Sequence, residues 1–461
     1  MPLRFPHGVL ADACYRTPPR NSGPATHLMT AGPEIQSKRS ASRPAQFAWC
    51  LFDWANQGYP TVIETFIFAT FFTQAVAVSP TEGTALWGYT LSVAGFLIVI
   101  LSPILGAISD EGGRRKPWLL FFSLCCVSAC ALLWFTRPDP SWVVWALIFF
   151  CISATTFEFT QIFYNAMLSD LVPMHRIGRL SGFGWAAGYT GGLTVLTLIL
   201  LLFVQPETPW LGLDKESGEH VRISALIVAG WWILFSLPLF MLVPDQPSRH
   251  LPLRQAALQG VRTLLHTLRN IRHYSNVARF LVARMIYNDG LNTLFAFGAI
   301  YAAGTFGMQF EEILLFGIVL NISAGIGAFA FGLIDERLGS KRIIMLSLVA
   351  LIIIGILLIL TTSVAFFWVL GVAIGCFFGP VQSASRALMA QIAPPGLEAR
   401  MFGLYSLSGK AIAFVGPAVL GLVTDVFESQ RAGMATIAVF FLIGLVVLAG
   451  VRDPRRAALE K

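Results

Sequence analysis

Charge is what this sequence has least of. Asp, Glu, Lys and Arg make up 12% of its residues, against roughly 25% in soluble globular chains. That scarcity excludes an ordinary soluble domain, as does a mean hydropathy of +0.69. Cysteine is sparse and unpatterned. Cys50, Cys125, Cys126, Cys130, Cys151 and Cys376 lie within or beside apolar runs and Cys14 stands near the start. Such spacing offers neither a disulfide framework nor a set of metal ligands. No Gly-rich nucleotide loop and no Ser/His/Asp arrangement occurs in the loops, so neither an enzyme nor a cofactor is expected. Residues 1–45 lack an apolar core and are rich in Pro, Ser, Arg and Thr. A signal peptide needs a continuous apolar segment, so this stretch reads as a disordered cytoplasmic tail, with Met29 a candidate natural start.

What the chain has instead is twelve apolar runs, at roughly 47–78, 85–109, 117–136, 141–168, 181–204, 223–243, 280–303, 311–334, 341–361, 364–390, 401–424 and 434–451. Each is long enough for a helix to cross a bilayer, which takes about 20 residues. Most of the Lys and Arg fall in loops after even-numbered runs and in the two tails. The net charge of +7 is therefore the positive-inside bias of a membrane protein, and no nucleic-acid partner is expected. The alternation places both termini in the cytoplasm of a multi-pass integral membrane protein, in the inner membrane if the source is bacterial. The organisation expected is a tail at 1–45, a six-helix bundle at 46–243, a cytoplasmic linker at 244–279, a second six-helix bundle at 280–452 and a tail at 453–461. In the linker, Arg254, Arg262, Arg269 and Arg272 alternate with leucines at helical intervals. That pattern predicts an amphipathic helix on the inner leaflet.

One stretch between the second and third runs is denser in instruction than the rest. Gly106 is followed by Asp110, then Gly113, then Arg114, Arg115 and Lys116. A glycine lets helices approach closely, an acid ends a helix, a second glycine permits a tight turn and the cations hold the turn at the cytoplasmic face. Gly332, Glu336, Gly339, Lys341 and Arg342 repeat the arrangement between the eighth and ninth runs. Ordinary positive-inside loops are the alternative reading. A second repeat relates the fourth-to-fifth junction to the tenth-to-eleventh: at one constant offset Gln161 meets Gln382, Arg179 meets Arg400, Gly182 meets Gly403 and Gly188 meets Gly409. Asn56-Gln57-Gly58 likewise matches Asn288-Asp289-Gly290. Repeats linking run n to run n+6 predict two six-helix halves on one plan.

Polar residues inside the apolar runs are costly and mark functional sites. They fall on single helical faces. The first run carries Asp53, Asn56, Gln57, Pro60 and Glu64; the fourth Glu158, Gln161 and Asn165; the seventh Arg284, Asn288 and Asn292 with Asp289 beside them; the tenth Gln382 and Arg386.

At this point the sequence resembles the major facilitator superfamily, whose signature between helices two and three is similar to Gly106–Lys116. It is more similar still to the vacuole effluxer family, whose fungal members are autophagy-related amino-acid exporters. Phe52-Asp53-Trp54-Ala55-Asn56, Phe163-Tyr164-Asn165-Ala166, Gly182-Phe183-Gly184-Trp185, Gly379-Pro380 with Ala384-Ser385-Arg386, and Phe402-Gly403-Leu404-Tyr405 carry that likeness. The resemblance implies an all-α protein of twelve helices in two pseudo-symmetric bundles. It also implies a secondary transporter that exports a small polar solute such as an amino acid or similar carboxylate. Helices one, four, seven and ten line the path in that superfamily, and these four bear the polar stripes. The expected substrate-binding residues are Asn56, Gln57, Gln161, Asn165, Asn288, Asn292, Gln382 and Arg386. Arg386 or Arg284 would hold a substrate carboxylate or else serve as a structural partner of an Asp. Lys410 would pair with Glu158 or touch substrate. Glu64, Glu158 and Asp289 are the candidates for carrying a coupling proton, with uncoupled exchange as the alternative. The expected gate is Gly106, Asp110, Gly113, Arg114, Arg115, Glu336, Gly339, Arg179 and Arg400, with Asp110 docking on helix eleven and Glu336 on helix five. A sugar or lipid-like cargo, or a receptor built on a transporter fold, are the other readings. Expected partners are the small-molecule substrate, the lipid bilayer and protons.

Overall fold

The computed structural model describes residues 40–269 and 272–453. The expected tails lie outside the described residues, except that helix already begins within 1–45. Ser42 Oγ accepts the Ala45 N–H (3.3 Å) and Pro44 occupies the first turn, which together start helix α1, Arg43–Asn56. Proline at a helix start costs no hydrogen bond. Pro60 does: it has no N–H to give to Asn56, where the regular ladder stops. The chain continues in π-helical turns over Tyr59–Phe66 and Phe72–Val76, on either side of a short α-helical segment, Phe68–Phe71. The first span is thus irregular where a regular helix was expected.

The remaining helices of the first half are α2 (Pro80–Gly112), α3 (Lys116–Leu132), α4 (Val143–Ala166), α5 (Ile177–Ile199) and α6 (Glu219–Leu242). A linker helix, Leu253–Arg269, leads to α7 (Ser275–Phe306), α8 (Phe310–Leu338), α9 (Ser340–Leu360), α10 (Val364–Ile392), α11 (Glu398–Lys410, resuming as Val415–Val426) and α12 (Gln430–Ala449). Several helices outrun their apolar runs because polar residues cap them. Ser79 Oγ, for example, accepts the Glu82 N–H at 3.2 Å ahead of α2. Among the described residues, ten helices are long and apolar enough to span a membrane. The two others are the broken first segment and α7, whose length suffices but whose polar stripe lowers its hydropathy.

The helices are apolar on both faces, as membrane helices are. In α9, Ile344, Leu348, Leu351 and Leu358 are buried, while Leu346, Val349, Ile353 and Leu360 are exposed along the opposite side. Between the halves, glycines set the distance of approach. Gly106 on α2 meets the backbone of Ala399 and Arg400 on α11, and Gly403 meets that of Ser102 and Pro103. Gly182 on α5 meets the backbone of Ala328 and Gly332 on α8 in the symmetry-related crossing. Small residues permit such backbone contact in the absence of a hydrophobic drive between helices.

The linker helix packs on α2. Ala256, Gly260, Leu264 and Thr267 are its buried side, and a Cβ on Gly260 would come within 2.9 Å of the Ile108 backbone. Leu258, Val261, Leu265, Arg254, Arg262 and Arg269 are exposed.

Candidate functional site

A cavity of about 320 Å³ lies between the two halves. It is lined by Asn56 and Gln57 of α1, Gln161 and Asn165 of α4, Asn288 and Asn292 of α7, and Gln382 and Arg386 of α10. The eight residues singled out for substrate binding are thereby brought together. Glu64, on a π-helical turn, and Glu158 line the same cavity. Such turns recur at functional sites because they re-aim side chains.

Asp289 is placed elsewhere. It is absent from the cavity wall, and its Oδ2 accepts the Gly416 N–H at 2.8 Å, just past the break in α11. Gly416 makes room for it, since a Cβ there would overlap Thr293 Oγ1 and press on the carboxyl group. Asp289 thus caps the resumed segment of α11 rather than facing the path. Trp185 of α5, and Tyr405, Ser406 and Gly409 of α11, line the cavity although no polar stripe marks them. For Trp185 and Tyr405 the signal that could have found them is their place in the family motifs quoted above, and for Gly409 its repeat match with Gly188.

The cavity's charged groups are sorted by half. Asp53, Glu64 and Glu158 come from the first half and Arg284, Arg386 and Lys410 from the second. Arg386 Nη1 donates to Asp53 Oδ2 at 2.8 Å and to Asn165 Oδ1 at 3.4 Å. Its Nε donates to Ser181 Oγ (2.9 Å) and its Nη2 to Ser181 O (2.7 Å). The guanidinium also lies 4.8 Å from the Trp49 ring centroid and 5.6 Å from that of Trp185. A buried ion pair offsets its desolvation only when its remaining donors are satisfied, and these are. Gly184 leaves the space, because a Cβ there would sit 2.5 Å from Asp53 Oδ2 and 2.7 Å from Arg386 Nη2. Lys410 Nζ lies 3.1 Å from Glu158 Oε1 in a second cross-half ion pair. Arg284 is buried against α11, its Nη1 donating to Tyr405 O (2.8 Å) and Ser408 Oγ (2.9 Å).

On the side of the linker helix the halves are joined. Asp110 Oδ1 accepts the Ala399 N–H at 3.0 Å and Oδ2 the Arg400 N–H at 2.8 Å, at the start of α11. Free N–H groups at a helix start favour a carboxylate. Arg400 in turn reaches Glu111 Oε1 (3.3 Å) and Thr267 Oγ1 of the linker helix (3.2 Å). Arg115 is buried, with Nη1 on Asp170 Oδ2 (2.5 Å) and Nη2 on Glu398 Oε2 (2.8 Å), whereas Arg114 is exposed. Gly113 and Gly339 both have φ of +86°, a conformation that favours glycine. Arg179 Nη1 meets Glu336 Oε1 at 3.3 Å with both side chains part-exposed. The residue buried against the start of α5 is instead Asp335, which the sequence reading did not single out. A Cβ on Gly178 would overlap its carboxyl group. Away from the linker the halves leave further space. Thr65 lines both the central cavity and one of about 300 Å³, and Phe66 and Thr70 line that cavity and a third of about 440 Å³.

Two six-helix bundles enclosing a polar cavity define a transporter of the major facilitator type, and solved structures agree. The human organic anion transporter MFSD10 (TETRAN) superposes with a TM-score of 0.67 at 16% identity, covering 88% of this chain and 99% of that one. The proton:xylose symporter XylE superposes with a TM-score of 0.65 at 16% identity, covering 89% and 95%. At such identities the likeness shows the fold alone. Sequence goes further: the family described as "Vacuole effluxer Atg22 like" matches residues 77–460, and the chain belongs to it. The MFS-type transporter YxiO of Bacillus subtilis (strain 168) is 28% identical over 415 residues, 88% of this chain and 94% of that protein. Autophagy-related protein 22 of Cryptococcus neoformans var. neoformans serotype D (strain B-3501A) is 28% identical over 304 residues, 61% of this chain. The chain spans about half the length of that fungal relative (54%). The protein is therefore a multi-pass membrane transporter of a small molecule and not an enzyme.

Proposed function

We propose that this transporter exports a small polar solute, an amino acid or similar carboxylate, by rocking its two halves about the central cavity. The observation that carries the reading is a cavity of about 320 Å³ lined by polar groups of both halves, which are joined on the linker side by the Asp110 contacts. A wall with three carboxylates and three cations suits a charged cargo better than a sugar or a lipid. The bias of Lys and Arg supports a cytoplasmic placement of the linker and both termini. The arrangement is then closed to the cytoplasm, with the linker helix resting its exposed Leu258, Val261 and Leu265 on the inner leaflet. Coupling protons are carried on Glu64 or Glu158, the two cavity carboxylates outside the Asp53–Arg386 pair. Vesicles reconstituted with the protein, a labelled amino-acid panel and an imposed pH gradient test this. Gradient-driven flux, lost in Glu64→Gln or Glu158→Gln, is expected. Flux of no amino acid removes the cargo, and flux indifferent to both variants removes the proton role.

A further inference from the structure

The cavity's charges do not cancel in place. Arg386 is committed to Asp53 at 2.8 Å and Lys410 to Glu158 at 3.1 Å. One group of each sign is left over: Glu64 from the first half and Arg284 from the second. Resting on the transport reading above, we propose that these two are the poles of the cargo site. Arg284 takes an anionic group of the solute and Glu64 its cationic group.

Arg284 is only 7% exposed, yet no carboxylate among the described residues lies within ion-pair distance of it. Its hydrogen bonds go to neutral acceptors on α11, and its Nε has none. A buried charge is costly unless an opposite charge meets it. The side chain is nonetheless held firmly. The guanidinium carbon sits 3.5 Å from the centroid of the Tyr405 ring. Gly409, one turn further along α11, lets the guanidinium lie close to that helix: a Cβ there would come 3.0 Å from Nη1. The Tyr405 ring and the Nη1 hydrogen bonds to α11 together hold the fork, and a held planar fork suits bidentate recognition of a carboxylate. Asn288, one turn along α7, lines the cavity beside it.

Glu64 has the opposite character. It lines the cavity from the π-helical turn and makes no hydrogen bond or ion pair with a described residue. Lys410, the cation of the same cluster, is already on Glu158. With both carboxylates ionised, the cluster of Glu64, Glu158 and Lys410 thus carries one net negative charge, and Arg284 carries one net positive charge. Because the poles belong to different halves, a solute carrying both charges contacts both halves at once. Its binding energy then depends on how far the halves are apart, which is the differential affinity that alternating access needs. A solute with one charge leaves one pole unanswered.

The assignment also separates the two arginines. Arg386 is a cross-half tie whose donors are satisfied by protein, and Arg284 is the anion-binding one. A charge panel tests this in vesicles: a neutral α-amino acid, its carboxamide, which lacks the anion, and its N-acetyl derivative, which lacks the cation. Wild type is expected to carry the parent at least tenfold faster than either derivative. Arg284→Gln should bring the parent-to-carboxamide ratio near unity, with Arg284→Lys restoring part of it. Glu64→Gln should do the same for the parent-to-N-acetyl ratio, read as solute exchange with no pH gradient imposed. Arg386→Gln should slow all three alike. A derivative carried as fast as the parent by wild type overturns the assignment without any variant having to fold. An unchanged KM for the parent in Arg284→Gln also overturns it. Absence of flux for every amino acid overturns the cargo reading and this assignment together, whereas flux indifferent to Arg284 and Glu64 overturns the assignment alone.

Discussion

The turn between α2 and α3 and the turn between α8 and α9 are copies in sequence and unequal in structure. Three residues, Gly113, Arg114 and Arg115, separate α2 from α3, whereas Gly339 alone separates α8 from α9. The shorter turn shifts the contacts by one residue relative to the glycines. Asp335 rather than Glu336 occupies the place of Asp110. Lys341 Nζ meets the end of α12 (Ala449 O, 2.9 Å), as Lys116 Nζ meets that of α6 (Phe240 O, 2.9 Å). Ser340, bonded by Gln391 Nε2 at 3.1 Å, takes the place that Arg115 fills beside Asp170. The consequence is an imbalance of ties. Arg115 joins the halves through Glu398, while Ser340 and Gln391 stay within one half. A cross-half ion pair of the second turn, Arg179–Glu336, is 44% and 31% exposed.

The comparison can be broken most severely at Arg115. Arg115→Met leaves Asp170 and Glu398 without their shared cation, and stranding a buried charge costs about 3–5 kcal/mol. With spin labels at the exposed positions Arg176 and Arg337, the distance between halves should move to a longer, linker-side-open population. An unmoved distribution would mean that the buried tie does not hold the closed state. Asp110→Asn comes next. It keeps the shape but loses two charge-assisted bonds, a loss of about 1–3 kcal/mol, or roughly tenfold in population. The same label pair and cysteine accessibility from the linker side both read it, and equal accessibility in variant and wild type contradicts a latch. The smallest effect belongs to Glu336→Gln, since exposed pairs contribute about 0–1 kcal/mol and are screened by salt. Asp335→Asn should exceed it. If Glu336→Gln proves the larger of the two, the one-residue shift is wrong and the glycine alignment is right.

How much of this was readable in advance follows from what spacing encodes. Hydropathy runs record which stretches meet lipid, so the twelve-helix plan was legible. The polar stripes record faces, so Asn56, Gln161, Asn288 and Gln382 could be grouped before any coordinates. Spacing does not record partners. Nothing within α10 says that Arg386 meets Asp53, 333 positions away, or that Arg284 meets α11 backbone instead of an acid. Asp289 sits beside a stripe by sequence, yet the interruption after Lys410 turns it to a backbone N–H. Glycine spacing picked out Glu336, which meets Arg179 of α5, and passed over its neighbour Asp335, the acid buried beside Gly178. Pro60 was visible, but the π-helical turns that follow it depend on how the broken ladder is rejoined.

The linker helix offers a practical consequence. Its Gly260 lies against the backbone of Ala107 and Ile108, and its Thr267 accepts from Arg400. It therefore touches elements of both halves while staying clear of the cavity. Gln259, exposed on that helix, is a handle for an environment-sensitive dye. Such a probe would make the transporter its own optical meter, reporting each turnover without tagging the solute or altering a residue it meets.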